Sequence, residues 1–120
     1  MATIDSCCTI VPYFKVPDEN LGAFKKLCEA FVSKTSNEKD CLYYGFSFNG
    51  HEAHCREGYK NAEAALAHLE NVGDILTEAL KISELSRLEI HGPESELSKL
   101  RAPLSGLNPA FFVLEYGFRR

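Results

Sequence analysis

The sequence predicts an α+β domain in which helices cover one face of an antiparallel sheet, and three observations carry that expectation. Short runs rich in β-branched and aromatic residues recur along the chain, as in CCTIVPYFKV at 7–16 and AFFVLEYGFRR at 110–120. Two longer segments repeat their apolar residues at helical spacing. Between two of the strand-like runs stands Asn49-Gly50, a strong short-range signal for a hairpin.

Taken in order, residues 7–16 read as a strand buried on both faces and closed by Pro17, after which Asp18 is placed to cap a helix. Leu21, Phe24, Leu27, Cys28 and Phe31 then fall on one helical face, opposite Lys25, Lys26 and Glu29, to about residue 36. CLYYGFSF at 41–48 alternates strictly, with Leu42, Tyr44, Phe46 and Phe48 on one side, and the hairpin turns the chain into a second strand reaching Tyr59. Asn61 can cap the next helix, whose stripe of Ala62, Ala65, Leu66, Leu69, Val72 or Gly73, Leu76 and Leu80 runs to about residue 80. SRLEIHGP at 86–93 sets Leu88 and Ile90 against Arg87, Glu89 and His91, a strand closed by Gly-Pro. A short helix follows with Pro93 in its first turn, Glu94 and Glu96 near its positive end and Leu97 and Leu100 as its buried side, and 110–120 is a last strand.

The resulting order, β-α-β-β-α-β with an added short helix and terminal strand, is that of a ferredoxin-like domain. Several strands are apolar in both registers, as with Phe111 and Val113 against Phe112, Leu114 and Tyr116. A single layer would leave one of those rows in water, so a second copy is expected to pack sheet to sheet.

A chain of 120 residues suits one domain with one core, and its 45% hydrophobic and 25% charged composition is that of an ordinary globular protein. A formal charge of -4 and a pI near 5.5 offer no broad attraction to phosphate backbones or anionic lipid, which argues against nucleic-acid and membrane-surface partners. The aromatic run YYGFSF raises the thought of an RNA-stacking sheet, but the next strand, AHCREGY, lacks the basic-Gly-aromatic pattern that such sheets carry. The N-terminal MATIDSCCTIVPYF has neither the basic start nor the long apolar run of a signal peptide, so a cytoplasmic setting is expected. Five cysteines without a C-x-x-C, mostly within apolar segments, read as reduced thiols.

HEAHCREGY at 51–59 gathers two histidines, a cysteine and two glutamates, and so invites a metal reading. Zinc-protease spacing needs two histidines four apart on a helix. His51 and His54 are three apart beside a hairpin turn, where strand geometry sends them to opposite faces, and His54 diverges from Cys55 in the same way. No metal site is expected there. Gly-rich phosphate loops, nucleophile elbows and paired-carboxylate motifs are missing as well.

CREGYKNAEAALAHL at 55–69 resembles a segment of the antibiotic biosynthesis monooxygenase family, in which a strand ending in Glu-x-Tyr runs into a helix with an Ala-x-x-x-His pattern. CLYYGFSFNG before it resembles that family's second strand and hairpin, and the likeness spans about residues 8 to 91. The resemblance implies a dimeric α+β barrel with a small-molecule pocket between sheet and helices in each subunit. Members include cofactor-independent monooxygenases of quinols and polycyclic phenols, haem-degrading enzymes and proteins with no assigned activity, so membership alone leaves the reaction open. Haem degradation fits poorly, because the chain has no tryptophan and no histidine near Glu78 to Leu80. The tail from about Gly92 is longer than the common pattern.

By that resemblance Glu57 and His68 approach one pocket from strand and helix, the histidine moving a proton and the carboxyl orienting or charging it. The structural alternative has His68 edging the apolar stripe and Glu57 paired with an arginine. Tyr13, Tyr44 and Tyr59 are candidates for lining the pocket and bonding a phenolic substrate, or else for the core. His91 is a further pocket candidate; with Arg87, Glu89 and Glu115 it alternatively forms a charged cluster at a dimer interface. Two functions follow as expectations: a cofactor-independent monooxygenase of a small phenol or quinol, with no metal or bound cofactor, or a non-catalytic, stress-related barrel that binds a small apolar or aromatic ligand.

Overall fold

Cys8–Lys15 forms the first strand, β1, and lies at the centre of a five-stranded sheet in the computed structural model, which describes residues 5–120. Residues 1–4, the beginning of the segment read above for a leader, lie outside the described residues. A 3-10 turn at Asp18–Asn20 leads into α1 (Leu21–Thr35), then the hairpin of β2 (Cys41–Asn49) and β3 (Glu52–Tyr59). Two consecutive helices follow, α2 (Ala62–Asn71) and α3 (Gly73–Ile82), then β4 (Glu84–Gly92), α4 (Glu94–Leu104) and β5 (Ala110–Val113). The sheet order is β2-β3-β1-β4-β5. The first four strands pair antiparallel, as in a ferredoxin-like domain, whereas β5 runs parallel to β4 because α4 carries the chain back across the sheet.

Parity along the strands explains where the core forms. Cys8, Ile10 and Phe14 of β1 and Ala53, Cys55, Glu57 and Tyr59 of β3 point to the helices and are buried. They divide into two apolar clusters. One joins Cys8, Ile10, Tyr59 and Ile90 to Ala62, Ala65, Leu97, Leu100 and Leu104; the other joins Phe14, Val16 and Ala53 to Phe24, Cys28, Phe31, Val72 and Ala79. The hairpin closes with Gly50 and His51 as its loop, and Gly50 takes φ +59, which a side chain would resist. Asn61 caps α2 by accepting a hydrogen bond from the Ala64 N–H at 2.9 Å. Asn61→Ala is therefore expected to cost about 1 kcal/mol, read as a lower urea midpoint with an unchanged slope.

Several expectations are corrected. The helix expected from Asn61 to about residue 80 breaks at Val72 (φ -103, ψ 7), where Asn, a β-branched residue and Gly follow one another and helix propensity is lowest. The break lets α3 turn onto α1, burying Ala79 and leaving Leu80 37% exposed. Asp18 caps nothing with its side chain and instead meets His51 Nε2 at 3.1 Å. An irregularity between Cys41 and Tyr43 sends Leu42 outward. Pro93 precedes α4 as its N-cap residue. The last strand ends at Val113 rather than residue 120, so Tyr116 and Phe118 stand 75% and 81% exposed. The first strand is fully buried on one face only, its odd-numbered side being half-buried. All five cysteines are free thiols, and no described helix is long and apolar enough to cross a membrane.

Candidate active site

The inward row of β3 places the Glu57 carboxyl beneath α2, whose residue His68 faces down onto it. His68 Nε2 lies 3.4 Å from Glu57 Oε1, and the two residues are 2% and 5% exposed. The Tyr59 hydroxyl donates to the same Glu57 oxygen at 2.6 Å. On the other side of the ring, His68 Nδ1 sits 2.9 and 3.1 Å from the two oxygens of Glu38, which belongs to the loop between α1 and β2. Asn71, at the end of α2, donates to Glu38 Oε2 at 2.8 Å and so holds that carboxyl in place. The rings of Tyr44 and Tyr59 enclose the imidazole at 5.2 and 4.9 Å between centroids.

Burial governs the charge states. Desolvation raises the Glu57 carboxyl to about 8, against smaller opposing effects of its bonds to Tyr59 and Cys55. Desolvation also lowers His68 below the ordinary histidine value, with the Glu38 bond pulling the other way. Near neutrality the chain is thus a protonated Glu57, a neutral imidazole and the Glu38 carboxyl. With its Nδ1–H engaged by Glu38, the ring presents the Nε2 lone pair towards Glu57. A proton donor and a proton acceptor stand side by side.

Both groups line a cavity of about 50 Å³ between the two apolar clusters. Its walls come from Ile10, Pro12 and Phe14, from Phe31, from Tyr44 and Phe46, from Val72 and Leu76, and from Leu104 and Leu107 near the C-terminus. Tyr44, Cys55, Glu57 and His68 are the polar exceptions in an apolar wall. That volume holds only a few waters, less than a ring-sized ligand occupies.

The other sequence-derived candidates are placed differently. Tyr44 lines the cavity, whereas Tyr59 is fully buried behind Glu57 and reaches the site through its hydroxyl. Tyr13 and His91 lie across the sheet, on the face away from the helices, because they alternate with inward-facing Phe14 and Ile90. There Tyr13 stacks on His54 at 4.5 Å, while His91 stacks on Phe112 at 4.7 Å and bonds Glu89 at 2.9 Å. Arg87 completes an Arg87–Glu89–His91 cluster on that face. His54 Nδ1 contacts the carbonyl of Pro12, and no group of three or more His, Cys, Asp or Glu among the described residues is placed to hold a metal.

Comparison with solved structures places this fold among relatives. MupZ from Pseudomonas fluorescens is 47% identical over all of this chain and 94% of its own, with a TM-score of 0.95. The chain belongs to one family with MupZ. At 15% identity, a structure from Nitrosomonas europaea provisionally named an antibiotic biosynthesis monooxygenase matches 77% of the chain and 94% of its own with a TM-score of 0.69, and one from Caulobacter crescentus matches 72% and 86% with 0.63 at 17% identity. The fold of this MupZ relative is that of the antibiotic biosynthesis monooxygenases. No family model and no curated protein sequence matches it.

Glu38 and Asn71 escaped sequence reasoning in this MupZ relative. Glu38 lies 30 residues from His68 in a loop without periodicity, and only the packing of α2 against the end of α1 brings the two together. A lone loop carboxyl carries no local signal. Asn71 was legible as a helix-weakening residue beside Val72-Gly73, but its amide bond to Glu38 was not.

Proposed function

We propose that the chain is an acid–base enzyme of a small, mostly apolar molecule, and more finely a cofactor-independent oxygenase of a phenol or quinol. The observation that carries this reading is the Glu38–His68–Glu57 chain opening onto an enclosed apolar cavity. His68 Nε2 is placed to take a hydroxyl proton, with Glu38 facing the charge that forms on the ring. The resulting phenolate is electron-rich enough to reduce dioxygen directly, and the Glu57 proton is at hand for the reduced oxygen. An apolar wall favours this by excluding water.

A second reading, a non-catalytic barrel that binds a small apolar ligand, draws on the predominantly apolar lining of the cavity, which binding needs whether or not a reaction follows. Oxygen uptake measured with a panel of naphthoquinols and polycyclic phenols separates the two. Uptake in proportion to substrate loss supports the oxygenase. Deuterium entry from heavy water into a bound substrate without uptake retains acid–base catalysis and removes the oxygenase. A bound organic molecule with neither leaves the binding reading. For partners, we propose that a second copy covers the open sheet face bearing Tyr13, His54, Arg56 and the Arg87–Glu89–His91 cluster, which a native mass of one chain would refute.

A further inference from the structure

On the far side of His68 from the apolar cavity lies a second, open cleft of about 210 Å³, lined by Val32, Thr35, Ser36, Glu38, Cys41, Tyr43 and Tyr44. Glu38 belongs to both settings: its side chain is 16% exposed at the cleft, and its two oxygens face His68 Nδ1. Thr35, in the wall of the same cleft, is a second observation. It is 2% exposed, yet its Oγ1 has no hydrogen-bond partner among the described residues. The Tyr44 phenol is close enough to feel it but makes no bond of normal geometry with it. A buried hydroxyl without a partner is costly, and a small opening of the cleft wall that admits a water between Thr35, Tyr44 and Glu38 would relieve that cost.

We propose that this cleft is a proton port: Glu38 passes protons between His68 Nδ1 and water held at Thr35, so that the apolar cavity on the other side of the ring exchanges protons with solvent while remaining dry. The inference rests on the acid–base reading above and adds a route to it. When Nε2 accepts the substrate proton, the Nδ1 proton moves to Glu38 and on to cleft water. When Nε2 later gives its proton to the product oxygen, cleft water returns one through Glu38 to Nδ1. The ring and Glu38 end as they began, and no electron changes hands. Glu38 and Thr35 are positioning residues here, since neither reaches the cavity.

The other groups facing this path are Glu57, Tyr59 and Cys55 from β3, Tyr44 and Cys41 from β2, Lys34 and Thr35 from α1, and Asn71 from α2. None supplies an alternative bridge from Nδ1 to the surface: Lys34 Nζ bonds the Asn71 carbonyl, and Cys55 and Tyr59 lie on the Glu57 side.

The test needs no substrate. Nitrogen-15 NMR of the ligand-free protein reads the His68 tautomer and the exchange of its Nδ1 proton with water. Thr35→Val, nearly isosteric, is expected to slow that exchange about ten-fold or more, while amide protection along α2 stays as in the parent. Glu38→Gln is expected to slow it further, and Glu38→Asp to restore part of the rate. Equal exchange in the parent, Thr35→Val and Glu38→Gln would overturn the port and show that protons reach His68 through the cavity. That outcome is separate from failure of the acid–base reading, which would appear as turnover surviving the loss of His68.

Discussion

Replacing His68 by alanine is expected to lower turnover of any substrate the parent accepts by about 10²–10⁴-fold, the usual share of a positioned general base. The geometry argues for a loss in kcat rather than in KM. Nε2 faces Glu57 at 3.4 Å and the cavity, so on the proposed reading it would meet the reacting hydrogen, while the apolar walls proposed to hold the rest of the ligand stay in place. The ring also packs between Tyr44 and Tyr59, so the alanine variant leaves a void and an unpartnered Glu38. His68→Gln fills that space and keeps an amide for Glu38 but has no basic nitrogen. Steady-state kinetics on both variants, with circular dichroism as the check on folding, decide the matter. Turnover within a few-fold of the parent in folded His68→Gln would remove the base from the mechanism.

The second large effect concerns stability. The Glu57 carboxyl is held at about 8 in the folded chain, mainly by desolvation, against an ordinary value of 4.5. The folded form therefore binds this proton more tightly than the unfolded form. Its contribution to stability is complete below about pH 4.5, drains away as the pH climbs, and is gone once the pH passes about 8. Each tenfold difference in proton affinity between the two forms is worth about 1.4 kcal/mol, so the loss across that window is a few kcal/mol. Glu57→Gln keeps the shape and an acceptor for Tyr59 but cannot ionise. Urea midpoints at pH 5 and pH 8 are expected to fall steeply for the parent and only slightly for Glu57→Gln, and parallel curves would refute a buried neutral carboxyl. The same variant is expected to lose the activity that needs its proton, and parent activity should decline above about pH 8.

Much of this was legible along the chain. The Phe24, Cys28, Phe31 stripe and the Asn61 cap act locally and appear where their chemistry put them, and the hairpin signalled by Asn49-Gly50 forms with its two-residue loop one position later, at Gly50 and His51. Tyr13 was harder to place, because β1 alternates Ile10 and Phe14 with Val11 and Tyr13, leaving two apolar rows and no sequence sign of which faces the helices. His91 was read as either a pocket residue or part of a charged cluster, and its parity with Arg87 and Glu89, opposite Leu88 and Ile90, is the pattern that favoured the open face over the pocket. Glu38 and the break at Val72 depend on how α2 and α3 meet α1, a tertiary choice with no counterpart in local periodicity.

The segment after β4 has a wider meaning. Leu104 and Leu107, which close one end of the cavity, come from the segment beyond Gly92, and Glu38, Glu57 and His68 from before it. Capacity and chemistry are thereby written in different stretches of sequence. Changes in the last quarter of the chain would lengthen, shorten or unplug the chamber while Glu38, Glu57 and His68 stay untouched, so that, on the proposed function, ligand choice would vary without rebuilding the acid–base trio.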